Sequence, residues 1–366
     1  MSEREKNEQN FQFEQERVDT KHIKCLSCGA NMEFEPERQV LYCSHCGSER
    51  KFNTDTLASE QDLLVGLNEE RWTDAEENQY VCDNCSAKIV VSAEQSSFVC
   101  PFCGTNHVQK TNEFVGLKPN ALLPFTFNKE KALEYGKNWA RKKFFAPTKF
   151  KKHLKNDNLQ GVYVPCFTFD SYTYSKYVGR IGTTHVKYVG SGKNRRAVHY
   201  TVWREISGVH YDNFDDILLS AGNRCNQKQI DKISPFDTNF SKEYNPNYLL
   251  GFMAYKYDCE VEGLWDVAKS KMDTAIKNSI LSGYVYDKIA YFNVSTQHEK
   301  TTYKYVMLPV YVGNFVYAKK PYNFFINGNT GKVWGKTPKS FWKILFTIVI
   351  PAAVVVGAWF LLNLLG

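Results

Sequence analysis

The chain has 366 residues, 46 Lys and Arg against 39 Asp and Glu, 43% hydrophobic and 15% aromatic residues, and 11 cysteines. That length holds two or three domains, and the apolar content excludes wholesale disorder. The 22 Tyr and 25 Phe favour a strand-rich body, and no apolar run follows Met1, so a cleaved signal peptide is not expected. The net charge of +7 hides a division: residues 1–116 carry 11 bases and 21 acids, residues 117–343 carry 35 and 18, and residues 344–366 carry none. An acidic front at −10 and a basic body at +17 point to different surroundings for the two parts.

In chain order, residues 1–20 form a polar tail, read as a loose helix or disordered. Residues 21–52 contain Cys25-Leu-Ser-Cys28 and Cys43-Ser-His-Cys46, and residues 80–110 contain Cys82-Asp-Asn-Cys85 and Cys100-Pro-Phe-Cys103. The two modules are offset by 57 residues at all four positions, which makes them an internal repeat. Each C-x2-C pair can present two thiolates to one ion. Gly29, Gly47 and Gly104 follow the second cysteine of their pairs, where a positive φ turns backbone N–H groups towards sulfur. Strand-like runs at Asn31–Phe34 with Val40–Tyr42, and at Lys88–Val91 with Ser97–Val99, join the knuckles into two four-cysteine zinc ribbons. Four thiolates suit a closed structural site, so two Zn2+ ions are expected, held by Cys25, Cys28, Cys43 and Cys46 and by Cys82, Cys85, Cys100 and Cys103. Rubredoxin-like iron uses the same knuckle, and disulfides are disfavoured in a cytoplasmic chain. His45 and His107 read as surface residues, because four cysteines already fill each site.

Between the modules, residues 53–79 hold eight acids and the single base Arg71. They read as a solvated acidic connector, helical around Leu63, Leu64 and Leu67. Neither ribbon carries a basic face, so a protein-contacting or structural role is favoured over nucleic acid.

Residues 111–340 read as one α+β domain on an antiparallel sheet, with a basic helical lead-in. A helix is predicted over Lys129–Phe144. It runs into Arg141–Lys155, RKKFFAPTKFKKHLK, with seven bases (Arg141, Lys142, Lys143, Lys149, Lys151, Lys152, Lys155) and no acid. A solvated basic face, contact with anionic lipid, and contact with nucleic acid compete for this stretch. Strands are predicted within Gly161–Arg180 and at Val198–Ser207, Val285–Val294, Tyr303–Val316 and Asn323–Ile326. One helix, about Gly263–Leu281, places Leu264, Ala268, Met272, Ile276 and Ile280 on one face. Cys166, Cys225 and Cys259 read as small core residues.

Residues 341–366 close the chain. Ile344–Gly366 is uncharged over 23 residues, and at about 1.5 Å per residue it spans roughly 34 Å, enough for the ~30 Å hydrocarbon core. Lys336, Lys339 and Lys343 precede it and no base follows, which orients the bulk of the chain to the cytoplasm. The expectation is a single-pass, C-terminally anchored membrane protein, its basic body against the anionic inner leaflet.

Several runs carry a resemblance: CGANMEFEPERQVLYCSHCG, the second ribbon, LLPF at Leu122–Phe125, GVYVPCFTFD, ISPFD at Ile233–Asp237 and INGNTGKVWG. Together they resemble an uncharacterised prokaryotic family described as TFIIB-type zinc-ribbon-containing membrane proteins, some members of which bear a label borrowed from the replication-restart helicase. The resemblance covers Cys25 to Pro338. It implies zinc ribbons ahead of a β-rich body, often with C-terminal membrane segments, and no established activity. The helicase label is not supported by the residues. A phosphate loop needs G-x4-G-K-[ST], but Asn194 follows Gly192-Lys193, and Thr330 stands where Gly335-Lys336-Thr337 requires the first glycine. No H-E-x-x-H or G-x-S-x-G occurs, His185, His199, His210 and His298 read as structural, and Asp212, Asp215 and Asp216 form a local acidic cluster. The expected protein is therefore no enzyme, but a scaffold or adaptor whose ribbons recruit a protein partner. The alternative is a membrane-tethered nucleic-acid binder using the ribbons and residues 141–155.

Overall fold

The computed structural model describes residues 23–53, 55–64, 72–73, 78–91, 99–105, 108–111, 115–152, 159–259, 261–317 and 320–365. The tail, residues 65–71 and 74–77 of the acidic connector (with Leu67 and Arg71), residues 92–98, His107 and Lys155 lie outside the described residues.

The first cysteine module is a three-stranded antiparallel sheet of β1 (Glu33–Glu35), β2 (Val40–Tyr42) and β3 (Glu49–Arg50). The chain then supplies β4 (Gln61–Asp62) and β5 (Trp72–Thr73). The second module contributes β6 (Asn78–Cys82), β7 (Lys88–Val91) and β8 (Val108–Thr111). After β9 (Val115–Gly116), which pairs with β5, and β10 (Ala121–Leu122) come helices α1 (Lys129–Arg141) and α2 (Thr148–Lys152). The body continues through β11 (Leu159–Val189), β12 (Arg196–Phe214), β13 (Leu219–Ser220), α3 (Gln227–Ile233), β14 (Lys242–Glu243), β15 (Met253–Tyr255) and α4 (Val261–Ser282). It ends with β16 (Lys288–Tyr317), β17 (Lys320–Asn327) and β18 (Val333–Gly335). The terminal helix runs as α5 (Phe341–Ile344), a π-turn at Leu345–Val349, and α6 (Ile350–Leu365). The chain is thus two small four-cysteine modules, a large antiparallel-rich sheet with few helices, and an apolar C-terminal helix.

One sheet of thirteen strands, in the order β14-β10-β16-β11-β15-β7-β6-β8 with five branches, organises the body. Its spine is the antiparallel pair β11 and β16, in register from Leu159↔Gly313 to Gly182↔Lys288. The period-2 alternation of GVYVPCFTF sorts their side chains by type. Tyr163, Phe167 and Phe169 join Tyr303, Tyr305 and Tyr311 in an aromatic core, while Val162, Val164 and Cys166 join Val306, Leu308, Val310 and Val312 in an aliphatic one. Cys166 and Cys225 are fully buried and Cys259 partly so.

The two strands predicted at Val285–Val294 and Tyr303–Val316 are one strand, β16. The polar run Ser295–Thr302, which lies between the two predicted strands, stays in the ladder through a bulge between Asp170 and Tyr172, where Lys300 takes a φ of +48°. Helix α1 begins where the Asn128 side chain accepts from the Lys131 N–H. In α4 the predicted stripe Leu264, Ala268, Met272, Ile276 and Ile280 is the buried face. Part of the acidic connector packs on the body: β4 pairs with Thr302–Tyr303 of β16, and Leu63 is buried.

The LLPF, ISPFD and INGN runs meet at one corner. Asn327, fully buried at the end of β17, donates from Nδ2 to Ile233 O (3.0 Å) and Pro235 O (2.8 Å). Its Oδ1 accepts from the N–H groups of Asn329 (2.8 Å) and Thr330 (3.0 Å). A Cβ on Gly328 would fall 2.4 Å from the Phe125 ring, so LLPF, ISPFD and INGN meet as packing and turn chemistry. Asn327→Ala strands two carbonyls and two N–H groups, and should cost about 2–4 kcal/mol. A thermal melt of the purified protein that leaves the midpoint unmoved would contradict this.

Candidate metal centres

All four C-x2-C turns are built alike. The N–H of the residue after each second cysteine donates to the carbonyl of the first: Gly29 to Cys25 (2.8 Å), Gly47 to Cys43 (2.9 Å), Ser86 to Cys82 (2.7 Å) and Gly104 to Cys100 (2.9 Å). This requires a left-handed backbone, with φ of 72°, 77° and 74° at the three glycines and 56° at Ser86. Ser86, in the third turn, meets the same geometry at a steric cost the glycines avoid.

The turns bring the thiols together in two groups, Cys25, Cys28, Cys43 and Cys46, and Cys82, Cys85, Cys100 and Cys103, each able to hold a metal ion. Sγ–Sγ separations are 3.4 Å for Cys25–Cys46, 3.6 Å for Cys28–Cys43, 3.5 Å for Cys82–Cys103 and 3.7 Å for Cys85–Cys100. A tetrahedral site with metal–sulfur bonds of about 2.3 Å has edges of about 3.8 Å, whereas a disulfide would bring sulfurs to about 2.05 Å. Within each group the close thiols shift one another in opposite directions. The N–H of Ser27 holds the Cys25 thiol down at about 6. Contact between Cys85 and Cys100 pulls the first down to about 5 and pushes the second up. Four thiolates at this spacing repel one another unless a cation lies between them.

The two modules attach to the body differently. The first docks through Phe34, whose N–H donates to Leu250 O (3.0 Å) and whose ring meets Tyr248 edge-on at 5.0 Å. The second is part of the main sheet, because β7 pairs with β15. Asn314 and Asn323 donate to the carbonyls of Pro101 (2.5 Å) and Phe102 (2.6 Å) between its last two cysteines. His45 is exposed at the tip of a first-module turn.

The basic stretch lies at the root of the terminal helix. Ser340 N donates to Phe145 O (2.8 Å), and Lys343 Nζ donates to Ala146 O (2.8 Å). Around this junction Arg141, Lys142, Lys143 and Lys149 are exposed, and Lys151 and Lys152 lie on α2. Phe341–Leu361 is long and apolar enough to cross a membrane, with none of its apolar stretch buried within the protein. The π-turn lies just before Pro351, which supplies no N–H to the helical ladder.

One group escaped the sequence reading. Lys304, only 4% exposed, lies 3.0 Å from Asp216 and 3.6 Å from Glu60. Carboxylate oxygens of Glu60, Asp170 and Asp215 lie within 4.8 Å of one another. Thr302 Oγ1 donates to Glu60 (2.7 Å) and also lies 3.1 Å from Asp170. Of the acidic run noted in the sequence, Asp215 and Asp216 enter this group, while Asp212 pairs with His210 at 2.9 Å. The group ties β4 to the spine, and the Lys304 ammonium already supplies its cation. Its only trace in sequence is an acid and a lysine inside otherwise apolar strand runs.

No family model matches the chain. It is 29% identical over 326 residues to the uncharacterized protein YdjG of Bacillus subtilis (strain 168), covering 88% of this chain and 91% of that protein. No solved structure matches.

Two outcomes are expected. Elemental analysis of the purified protein should find two metal ions per chain, falling to one in Cys82→Ser/Cys85→Ser. That variant should also lose more thermal stability than Cys25→Ser/Cys28→Ser, because its module is part of the main sheet. Separately, burial first, and then neighbouring carboxylates, push the Asp170 carboxyl up to about 7. A raised folded-state value favours the protonated form in the native state, so its contribution to stability is lost as pH rises towards and through 7. Melting midpoints of Asp170→Asn should therefore fall less than those of the unaltered protein between about pH 5 and 8; equal falls would sink the assignment.

Proposed function

We propose that the protein is a non-catalytic, zinc-binding scaffold or adaptor held at the cytoplasmic face of a membrane by its terminal helix. The docking of that helix's root onto the basic turn at Phe145–Ala146 carries the reading. It sets exposed Arg141, Lys142, Lys143 and Lys149 beside the first residues of the apolar helix, where anionic headgroups attract bases at about 1 kcal/mol each. Exposed Phe341 and Trp342 suit the interfacial aromatic position. Zinc is the ion favoured for both centres, because closed four-thiolate sites with tetrahedral spacing suit its lack of geometric preference. Its role would be structural, since the second module shares strands with the body and the first packs its Phe34 into the aromatic core. For a protein partner, the first module offers Leu26, 93% exposed at its turn tip. The position of the basic stretch favours lipid over nucleic acid as its contact.

Hydrogen exchange on the full chain in nanodiscs tests the membrane reading. Backbone amides of residues 141–149 should exchange more slowly in anionic than in neutral discs, and protease should digest the body only in inverted membrane vesicles. Equal exchange in both lipids would remove the headgroup contact, and digestion from the outer face would overturn the orientation.

A further inference from the structure

Beyond the spine, β11 and β12 continue together as an arm. Their ladder runs from Ser171↔Phe214 to Val189↔Arg196, whereas β16 leaves β11 at Gly182. Helix α4, whose Met272 and Ile276 are fully buried, packs against β11 and β12. From Thr183 to Val189, and from Arg196 to Val202, the ribbon is two-stranded, and beyond Thr184 and Thr201, which Asp287 and Lys288 touch, both its faces are exposed among the described residues. A two-stranded ribbon of this kind gains little from folding alone. Yet it exposes Val186 (48%), Tyr188 (59%), Tyr200 (48%) and Val202 (50%), which serve no core.

Its charge is as one-sided as its packing. Residues 183–203 contain no acid, but hold Lys187, Lys193, Arg195 and Arg196 with His185 and His199. Lys187, Arg195 and Arg196 are exposed, and the Arg195 guanidinium lies 4.5 Å over the Tyr188 ring. The basic excess of the body therefore includes two separate groups. One surrounds the root of the terminal helix. The other sits at the far end of β11, about 100 Å along the strand from Leu159 at roughly 3.3 Å per residue. The Leu159 end is the one beside α2, where Phe150 meets Phe315 at 5.0 Å.

We propose that the arm tip binds duplex DNA, entering a groove as a two-stranded ribbon and contacting phosphates through Lys187, Arg195 and Arg196. The major groove, about 12 Å wide, admits such a ribbon. Side chains of the tip project from both faces, which matches a cleft with two phosphate walls. A stacking platform for single strands needs one continuous aromatic face instead. A bilayer-seeking hairpin would carry apolar residues at its turn with its bases set back. Here the turn is Gly190-Ser191-Gly192-Lys193-Asn194, and the valines lie behind it. The proposal needs neither the membrane nor the zinc assignment to hold.

The test uses the full chain in neutral-lipid nanodiscs and fluorescence anisotropy with a labelled duplex of arbitrary sequence. Three phosphate contacts predict a slope of log affinity against log salt of about −2.7, roughly a fortyfold weakening between about 50 and 200 mM salt. Lys187→Gln/Arg195→Gln/Arg196→Gln should weaken binding at least tenfold at low salt and reduce the slope by about three. Arg141→Gln/Lys142→Gln, at the helix root, should bind as the unaltered protein does. Three results overturn the proposal: no duplex binding at low salt, an unchanged affinity in the triple variant, or equal displacement by single-stranded DNA. Flotation on anionic vesicles that the triple variant abolishes, without duplex binding, would assign the tip to lipid instead.

Discussion

Everything in this fold hangs on the pairing of two strands of 31 and 30 residues. Because the side-chain period of a strand is two, one long antiparallel ladder separates an aromatic layer from an aliphatic one over Val162–Phe169 of β11 and its partners on β16. The other pieces attach to this ladder. The first cysteine module and α1 add to the aromatic side, and α3 inserts Ile230 and Ile233 on the aliphatic side. The second module extends the sheet at one edge through β15. A slip of one residue would exchange the two layers, so the register is tightly specified where both faces are covered.

The same ladder sets the layout of charge. At one end it meets α2 and the root of the apolar helix, with exposed bases around the junction. At the other it becomes a ribbon that keeps its hydrogen bonds but loses its core, and it is there that the second group of bases appears. Between them, Lys304 and its carboxylates form the one strongly charged group among the buried residues of the spine. Such a group costs desolvation energy that only close pairing offsets, which explains its dense hydrogen bonding to Thr302 and Thr238.

The cysteine groups show how a local code becomes part of a global structure. Each turn is specified within six residues, by two cysteines and a residue tolerant of positive φ. What the turns hold is not local. Asn314 and Asn323, more than 200 positions away in the chain, clamp the carbonyls between Cys100 and Cys103. A metal ion in the second module would therefore brace the edge of the main sheet as well as its own knuckles.

Much of this was legible in residue spacing. The cysteine repeat, the stripe on α4, the alternation in GVYVPCFTF and the uncharged terminal run all act through neighbours a few positions apart, so their chemistry is written contiguously. What could not be read depended on contacts between distant segments. Ser295–Thr302 carries no strand signal because its residues are polar, and only the partner strand and a bulge at Lys300 keep it in the ladder. Glu60 and Lys304 are 244 positions apart, and nothing near either names the other. The acidic connector reads as solvated because local composition does not reveal that Leu63 has a site to fill. The arm could not be foreseen either, since a strand with an uncovered face and one with a buried face can share the same alternation. Local sequence set the period and the metal-binding turns; the fold decided which faces found a partner and which were left to meet one.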